Sequence, residues 1–266
     1  MSNINGYIYQ RLRELGLSES ASRDVYRKVK IQSYNQEAII WVKGSAICTL
    51  NFVISGLVAA AIPCKLSRIM PVSIYGEKSW FGEQSIINEK VSYADYICLL
   101  QTDLMCIPAA DVIRLMEIEI GFSMKMAKII SWRAQRTSEM LMIMRLGSPC
   151  LRVVTGICQF AEALAYNSTR PPTIGFGEGL VIPVKQDVIA SMCGVSRTIF
   201  SERVQRLSSE GWLRVSYGKI ELLSLNSWLK LAALQRTKKF ENLNSSLEEL
   251  LGELGRYEGL GLPSLQ

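Results

Sequence analysis

The sequence contains no histidine. That absence excludes Ser-His-Asp and Cys-His catalytic centres, His-ligated haem and every zinc site that needs imidazole. Seven cysteines stand at 48, 64, 98, 106, 150, 158 and 193, and no two have C-x-x-C spacing. Their odd number and scatter suit reduced, buried thiols in a cytoplasm better than a disulfide frame, and give no metal signal. No G-x-G-x-x-G precedes a helix, so Rossmann-type dinucleotide binding has no support. Long apolar runs are also missing. Residues 45–64, SAICTLNFVISGLVAAAIPC, carry no charge, but Thr49, Asn51, Ser55, Gly56 and Pro63 interrupt them. They read as two short buried strands around a turn at Ser55-Gly56, not as a membrane span. The start, MSNINGYIYQRLRELG, has no apolar run behind a basic stretch and is not a secretory signal. No catalytic constellation can be assembled, so neither an enzyme nor a cofactor is expected.

What is present is a chain of 266 residues, long enough for two domains, with 48% apolar and 20% charged residues. Its net charge of +6 permits nucleic acid as a partner without demanding it. Residues 1–30 read as N-terminal helices, with Ser18 and Ser20 near a break at Gly16 and an apolar edge of Tyr7, Leu12 and Leu15. From 31 to 112 the pattern turns to short β-rich segments: IQSYNQ, AIIWVKG, ICTLNFVI, LVAAAIP, IMPVSIYG and YICLLQTDLMCIP. A β-sandwich or roll is expected there.

Residues 109–146 read as a long helical stretch with a break at Gly121, and 113–147 as the connector between domains. Phe122, Met126, Ile129, Met140 and Met144 fall at helical spacing, with Arg133, Arg136 and Thr137 as a polar middle. The stripe is either an interhelical seam between two copies or the face of a helix packed on its own domain; a homodimer is the expectation. Gly147-Ser148-Pro149 stops this helix and marks the domain boundary. Residues 150–166 form a further helix, 167–179 (NSTRPPTIGFGEG) a loop, and 180–185 (LVIPVK) a strand.

The sharpest signal lies at 188–223, VIASMCGVSRTIFSERVQRLSSEGWLRVSYGKIELL. A helix from Gln186-Asp187 to about Met192 stops at Cys193-Gly194, where glycine supplies the freedom a tight turn needs. Ser196 is a natural N-cap for the next helix. Ile199, Val204 and Leu207 give that helix an inward stripe with Phe200 and Arg203 at its edges, leaving Arg197, Thr198, Ser201 and Glu202 outward. Gly211 ends it, and 213–216 with 219–222 flank Tyr217-Gly218 as a β-hairpin. Residues 185–219 hold six Lys/Arg (185, 197, 203, 206, 214, 219) against three Asp/Glu (187, 202, 210).

This stretch resembles the winged helix-turn-helix of the Crp/Fnr superfamily of bacterial transcription regulators. The upstream order is similar too: VKG at 42–44 and WFGEQSI at 80–86 resemble landmarks of that family's cyclic-nucleotide-binding-type β-roll. RTSEMLMIM at 136–144 resembles its dimerisation helix, and VTGICQFAEAL at 154–164 the first helix of its DNA-binding domain. The resemblance covers about 31–235. It implies an α+β chain with an N-terminal, jelly-roll-like sensor roll, a long dimerisation helix and a winged helix-turn-helix domain at 148–235, followed by an extension at 236–266. It implies double-stranded DNA and a second copy of the chain as partners, with RNA polymerase a further candidate, and a helix from Ser196 to about Ser208 in the major groove. It matches Ser196 and Arg197 to positions that touch DNA; Lys185, Gln186, Thr198, Ser201, Glu202, Arg203, Arg206 and Lys219 complete the set of candidate DNA contacts on this surface. Two positions depart from the family pattern, since Thr198 replaces a base-reading Glu and Glu202 replaces an Arg. The alternative is a divergent regulatory module that contacts protein and has lost most operator binding.

For an effector, the resemblance points to Gly82, Glu83, Thr137 and Ser138, while the helical spacing makes Phe122, Met126, Ile129, Arg133, Met140 and Met144 the candidates for the dimer interface. The place of the phosphate-gripping Arg reads VSYAD, 91–95, with no cation, so cyclic AMP is not expected to bind. The effector, if any, is unknown. The extension from 240, FENLNSSLEELLGELGRYEGLGLPSLQ, reads as a short amphipathic helix with a Gly-rich finish, solvated or against a partner.

Overall fold

The computed structural model describes residues 2–63, 69–165, 179–237 and 243–256. The expected loop at 167–179 lies outside the described residues apart from Gly179, as do Cys64 and the Gly-rich finish. In chain order the elements are α1 (Ser2–Glu14), α2 (Glu19–Tyr26), β1 (Lys30–Tyr34), β2 (Ile39–Trp41), β3 (Thr49–Ser55), β4 (Val58–Ile62) and β5 (Met70–Tyr75). They continue with β6 (Trp80–Phe81), α3 (Glu83–Ile87), β7 (Asp95–Cys98), β8 (Thr102–Pro108), α4 (Ala109–Ile118) and α5 (Ile120–Leu146). The last are α6 (Pro149–Ala165), β9 (Leu180–Ile182), α7 (Gln186–Met192), α8 (Arg197–Ser209), β10 (Leu213–Ser216), β11 (Lys219–Leu222), α9 (Leu225–Thr237) and α10 (Leu247–Arg256). Two compact units emerge, Met1–Val58 with Tyr75–Thr137, and Ala59–Ile74 with Ser138–Gln266.

The first unit is built on an antiparallel sheet in the order β1-β8-β3-β6. β3 and β8 pair over six positions, from Thr49↔Pro108 to Ser55↔Asp103. Both strands read as nearly continuous apolar runs because both faces are covered, leaving Leu50, Phe52, Val53, Leu104 and Met105 without exposed surface or nearly so. β2 pairs with β7, setting Trp41 beside Tyr96. Residues 45–62 form the two expected strands, β3 and β4, around the turn at Ser55-Gly56. Gly56 holds a positive φ of 97°, and a Cβ there would meet the Gln101 carbonyl oxygen at 2.4 Å. Among the described residues no helix is long and apolar enough to cross a membrane.

Ser18 is the N-cap of α2, accepting from the Ala21 amide at 3.3 Å. Its own hydroxyl donates to Glu119 Oε1 at 2.6 Å, and its amide to Oε2 at 3.0 Å. These bonds hold the Glu119 carboxyl below its usual range. Glu119 is also where the long helical stretch breaks, between α4 and α5. The break therefore comes two residues before Gly121, which sits inside the first turn of α5. Glycine is needed there for another reason: a Cβ on Gly121 would lie 2.5 Å from the Gly16 carbonyl oxygen. Two backbones pass too closely for side chains.

The second unit packs α6 under the helix pair α7–α8 and beside α9. Val153, Val154, Ile157, Phe160 and Ala161 of α6 are buried, together with Ile189, Phe200, Val204, Leu207 and Trp228. A three-stranded sheet, β10-β11-β9, completes the wing. Phe200, expected at the edge of α8, is fully buried, while Ile199 is only partly so. Phe200, Val204 and Leu207 follow an i, i+4, i+7 spacing, and that is the true inward stripe.

The extension is packed into the unit and is not a solvated tail over its described part. Ser246 caps α10 by accepting from the Glu249 amide at 3.2 Å, while Glu249 Oε2 accepts from the Ser246 amide at 3.0 Å. Leu247, Leu250 and Leu254 are buried as α10 packs on α9 and α6.

Candidate functional site

The helix pair has the geometry its sequence demands. α7 ends at Cys193, Gly194 turns at a φ of 61°, and Ser196 caps α8 by accepting from the Ile199 amide at 3.2 Å. Ser196, Arg197 and Thr198 are exposed at the first turn of a helix 13 residues long that has no acidic residue in that turn. A helix start of this kind presents unsatisfied amides and a positive dipole end to an anion. Arg197 adds a guanidinium fork, and Ser196 and Thr198 add hydroxyls.

One residue that sequence reasoning missed holds this turn in place. Arg152 of α6 donates through Nε to the Gly147 carbonyl at 3.1 Å and through Nη1 to the Gly194 carbonyl at 3.1 Å. It is a lone cation in the otherwise apolar helix CLRVVTGICQF, and that isolation was the available signal. Close packing supports the turn from below. Gly156 lies against Cys193, and burial pushes the Cys193 thiol up to about 12, as it does that of Cys106. Such thiols are inert.

The other expected contacts spread across the same surface. Lys185, Glu202 and Arg206 are exposed and Gln186, Ser201 and Arg203 half-buried; Lys219 is exposed on the wing, whose tip carries a fully exposed Tyr217. Arg206 pairs with Glu210 at 3.1 Å and Arg214 with Glu221 at 3.1 Å. Glu248 of α10 is held below the usual carboxylate range, chiefly by hydrogen bonds to its own backbone and to Ser246, with Arg206 and Arg203 adding attraction.

The residues expected at a dimer seam turn inward. Phe122 and Met126 have no exposed surface. Arg133 binds Glu83 and the Trp80 carbonyl in its own unit. Met140 Sδ accepts from Gln159 Nε2 at 3.2 Å, and Met144 Sδ would lie 3.3 Å from a Cβ on Gly194. Ile129 is half-buried. At about 100° per residue, Phe122, Met126, Arg133, Met140 and Met144 fall within about 40° of one another on α5. A second apolar stripe runs along the opposite side, where Ile120, Met124 and Met142 fall within about 40° of one another, flanked by Trp132, Leu141 and Leu146. All six are exposed.

The expected effector residues lie at the start of α3 and in α5. Gly82 caps α3 with a φ of 102°, and Glu83 is 1% exposed. Thr137 and Ser138 are exposed, and the α5 residue that meets Glu83 is Arg133, one turn earlier. Among the described residues no group of three or more Cys, Asp or Glu side chains could hold a metal ion.

No protein-family profile matches the sequence. No curated protein matches it either. Solved structures do resemble the fold. FixK2 from Bradyrhizobium japonicum is 13% identical, with a TM-score of 0.64 over 82% of this chain and 98% of its own. TTHA1359, a CRP/FNR-family transcriptional regulator from Thermus thermophilus, is 17% identical, with a TM-score of 0.59 over 77% and 98%. The c-di-GMP-responsive global regulator CLP from Xanthomonas campestris is 16% identical, with a TM-score of 0.59 over 77% and 99%. The roll, the long helix and the winged helix-turn-helix, in this order, give the chain a divergent form of the Crp/Fnr fold.

Proposed function

We propose that this protein is a cytoplasmic, homodimeric transcription regulator that sets α8 into the major groove of double-stranded DNA and is not controlled by cyclic AMP. The observation that carries the reading is the start of α8, where a capped turn exposes Ser196, Arg197 and Thr198 together. Arg197 suits the two acceptors on the major-groove edge of guanine, and the hydroxyls suit bases or phosphates. Ser201 and Glu202 follow along the helix, where Glu202 can accept from a cytosine amino group. Lys185, Gln186, Arg203, Arg206 and Lys219 flank it as backbone contacts. The exposed stripe of α5 supplies the surface on which a second copy is buried. Against cyclic AMP stand the missing cation at 91–95 and the engagement of Glu83 by Arg133.

The test is fluorescence anisotropy on genomic fragments at low and physiological salt, comparing wild type with Arg197→Ala. The wild type is expected to lose roughly a thousandfold in affinity between about 50 and 200 mM salt, the signature of several released counterions. Arg197→Ala is expected to weaken specific binding by about ten- to a hundredfold, leaving non-specific binding nearly intact. The exposed Glu202 and the Arg206–Glu210 pair favour a second reading, a protein-interaction module. Absence of salt-dependent binding to every fragment decides for it.

A further inference from the structure

Glu83 poses a physical problem. It is 1% exposed, and an unpaired buried carboxylate is too costly to persist. Its Oε1 accepts from Arg133 Nη1, while Oε2 is buried with no hydrogen-bond partner. The second fork nitrogen of Arg133, Nη2, donates to the Trp80 carbonyl. The guanidinium carbon lies 5.1 Å from the centroid of the Tyr75 ring, within cation–π range. Burial works against the Arg133 charge, yet its pKa is held above the ordinary value, with the Glu83 carboxylate contributing both its charge and a hydrogen bond.

The surroundings are built for one flat cation. Tyr75 stacks towards Phe81 and Tyr96 at centroid distances of 5.2 and 6.0 Å, and Trp41 meets Phe81 edge-on at 5.4 Å. Burial raises the pKa of Tyr75 and Tyr96, so both rings stay neutral and offer π faces, not phenolates. A carboxylate, a carbonyl and a ring face arranged around a planar fork select guanidinium over ammonium, because a lysine reaches these partners only as a point charge.

We propose that Glu83, the Trp80 carbonyl and the Tyr75 ring form a guanidinium-binding cradle that the chain fills permanently with its own Arg133. The roll thereby carries an internal ligand, and the middle of α5 is latched to the turn at Gly82-Glu83. The cradle stands on its own geometry; only its link to regulation rests on the reading of the chain as a DNA-binding regulator.

The test is hydrogen exchange on the full chain. Arg133→Ala is expected to speed amide exchange in 82–87 and 129–136 by about a hundredfold, since removing one partner leaves a buried charge uncompensated. Millimolar methylguanidinium is expected to restore protection, while methylammonium at equal concentration and either compound on wild type change nothing. Unchanged exchange in Arg133→Ala, or equal rescue by the two cations, overturns the proposal. Should Arg133→Ala not fold, Glu83→Gln keeps the shape but removes the charge. Faster exchange in 129–136 then supports the cradle, and wild-type rates overturn it. A separate arm measures DNA binding of Arg133→Ala with and without methylguanidinium. A wild type that passes the exchange test but binds no DNA sinks the regulator reading and leaves the cradle standing.

Discussion

Replacing Gly156 with alanine is expected to cost about 3 kcal/mol of stability in the C-terminal unit, even though alanine is the better helix former. Gly156 lies in the middle of α6, where glycine is unfavourable by about 1 kcal/mol, so a local argument predicts stabilisation. The packing reverses the sign. A Cβ at 156 would sit 2.2 Å from Cys193 Sγ, far inside the roughly 3.5–4.0 Å of an ordinary carbon contact. Cys193 is fully buried at the end of α7, so moving its sulfur aside disturbs the packing around it. Relief requires α6 and α7 to separate, which moves the turn that presents α8. Cys193→Ala alone leaves a small void and is expected to lose about 1 kcal/mol. In the double variant the new methyl occupies the sulfur's place, so Gly156→Ala/Cys193→Ala is expected within about 1 kcal/mol of wild type. Urea unfolding followed by circular dichroism measures all four proteins. A Gly156→Ala chain as stable as wild type means the helices can part without cost.

The pair Met124→Glu/Met142→Glu is expected to convert the proposed dimer into a monomer of about 29.8 kDa by light scattering, with the fold intact. The two methionines are 55% and 40% exposed on the same side of α5, so neither holds the monomer together. In a symmetric interface each substitution appears twice, and four buried carboxylates without partners outweigh the attraction of a single helix seam. DNA affinity is expected to fall by roughly a hundredfold or more, because two half-sites are then no longer engaged through one tether. Met140→Glu is the contrasting control, since it faces Gln159 and damages the subunit itself. A wild type that stays monomeric at micromolar concentration removes the proposed dimer altogether.

Much of the fold was legible because single residues carried it. Gly194, the Ser196 cap and Tyr217-Gly218 placed the helix pair and its wing to within a residue. Long helix α5 was legible as a helix but not in orientation. It bears two apolar stripes on opposite sides, and spacing alone cannot say which one the chain covers itself. β6 and α3 were missed because two and five residues are too few to show a period. β7 and β8 ran together in the sequence because the intervening turn, Leu99–Gln101, begins with two leucines. Within the candidate site, Arg197 and Thr198 followed from helix arithmetic. Arg152 was missed and Arg133 was read only as part of a dimer seam, because Gly194 and Glu83, their partners 42 and 50 residues away, are announced by no local pattern.

The clasp on Ser148 limits how the chain can be shortened. Its amide donates to the Leu243 carbonyl and its hydroxyl to the Ser245 carbonyl, each at 2.8 Å, and that same hydroxyl accepts from Leu151 at the start of α6. A stop codon at 243 would strip away both carbonyls and remove Leu247, Leu250 and Leu254, uncovering the surface of α6 and α9 on which α10 packs. Such a truncate is expected to come out of cells as insoluble protein, whereas an affinity tag appended beyond Arg256 leaves the clasp untouched.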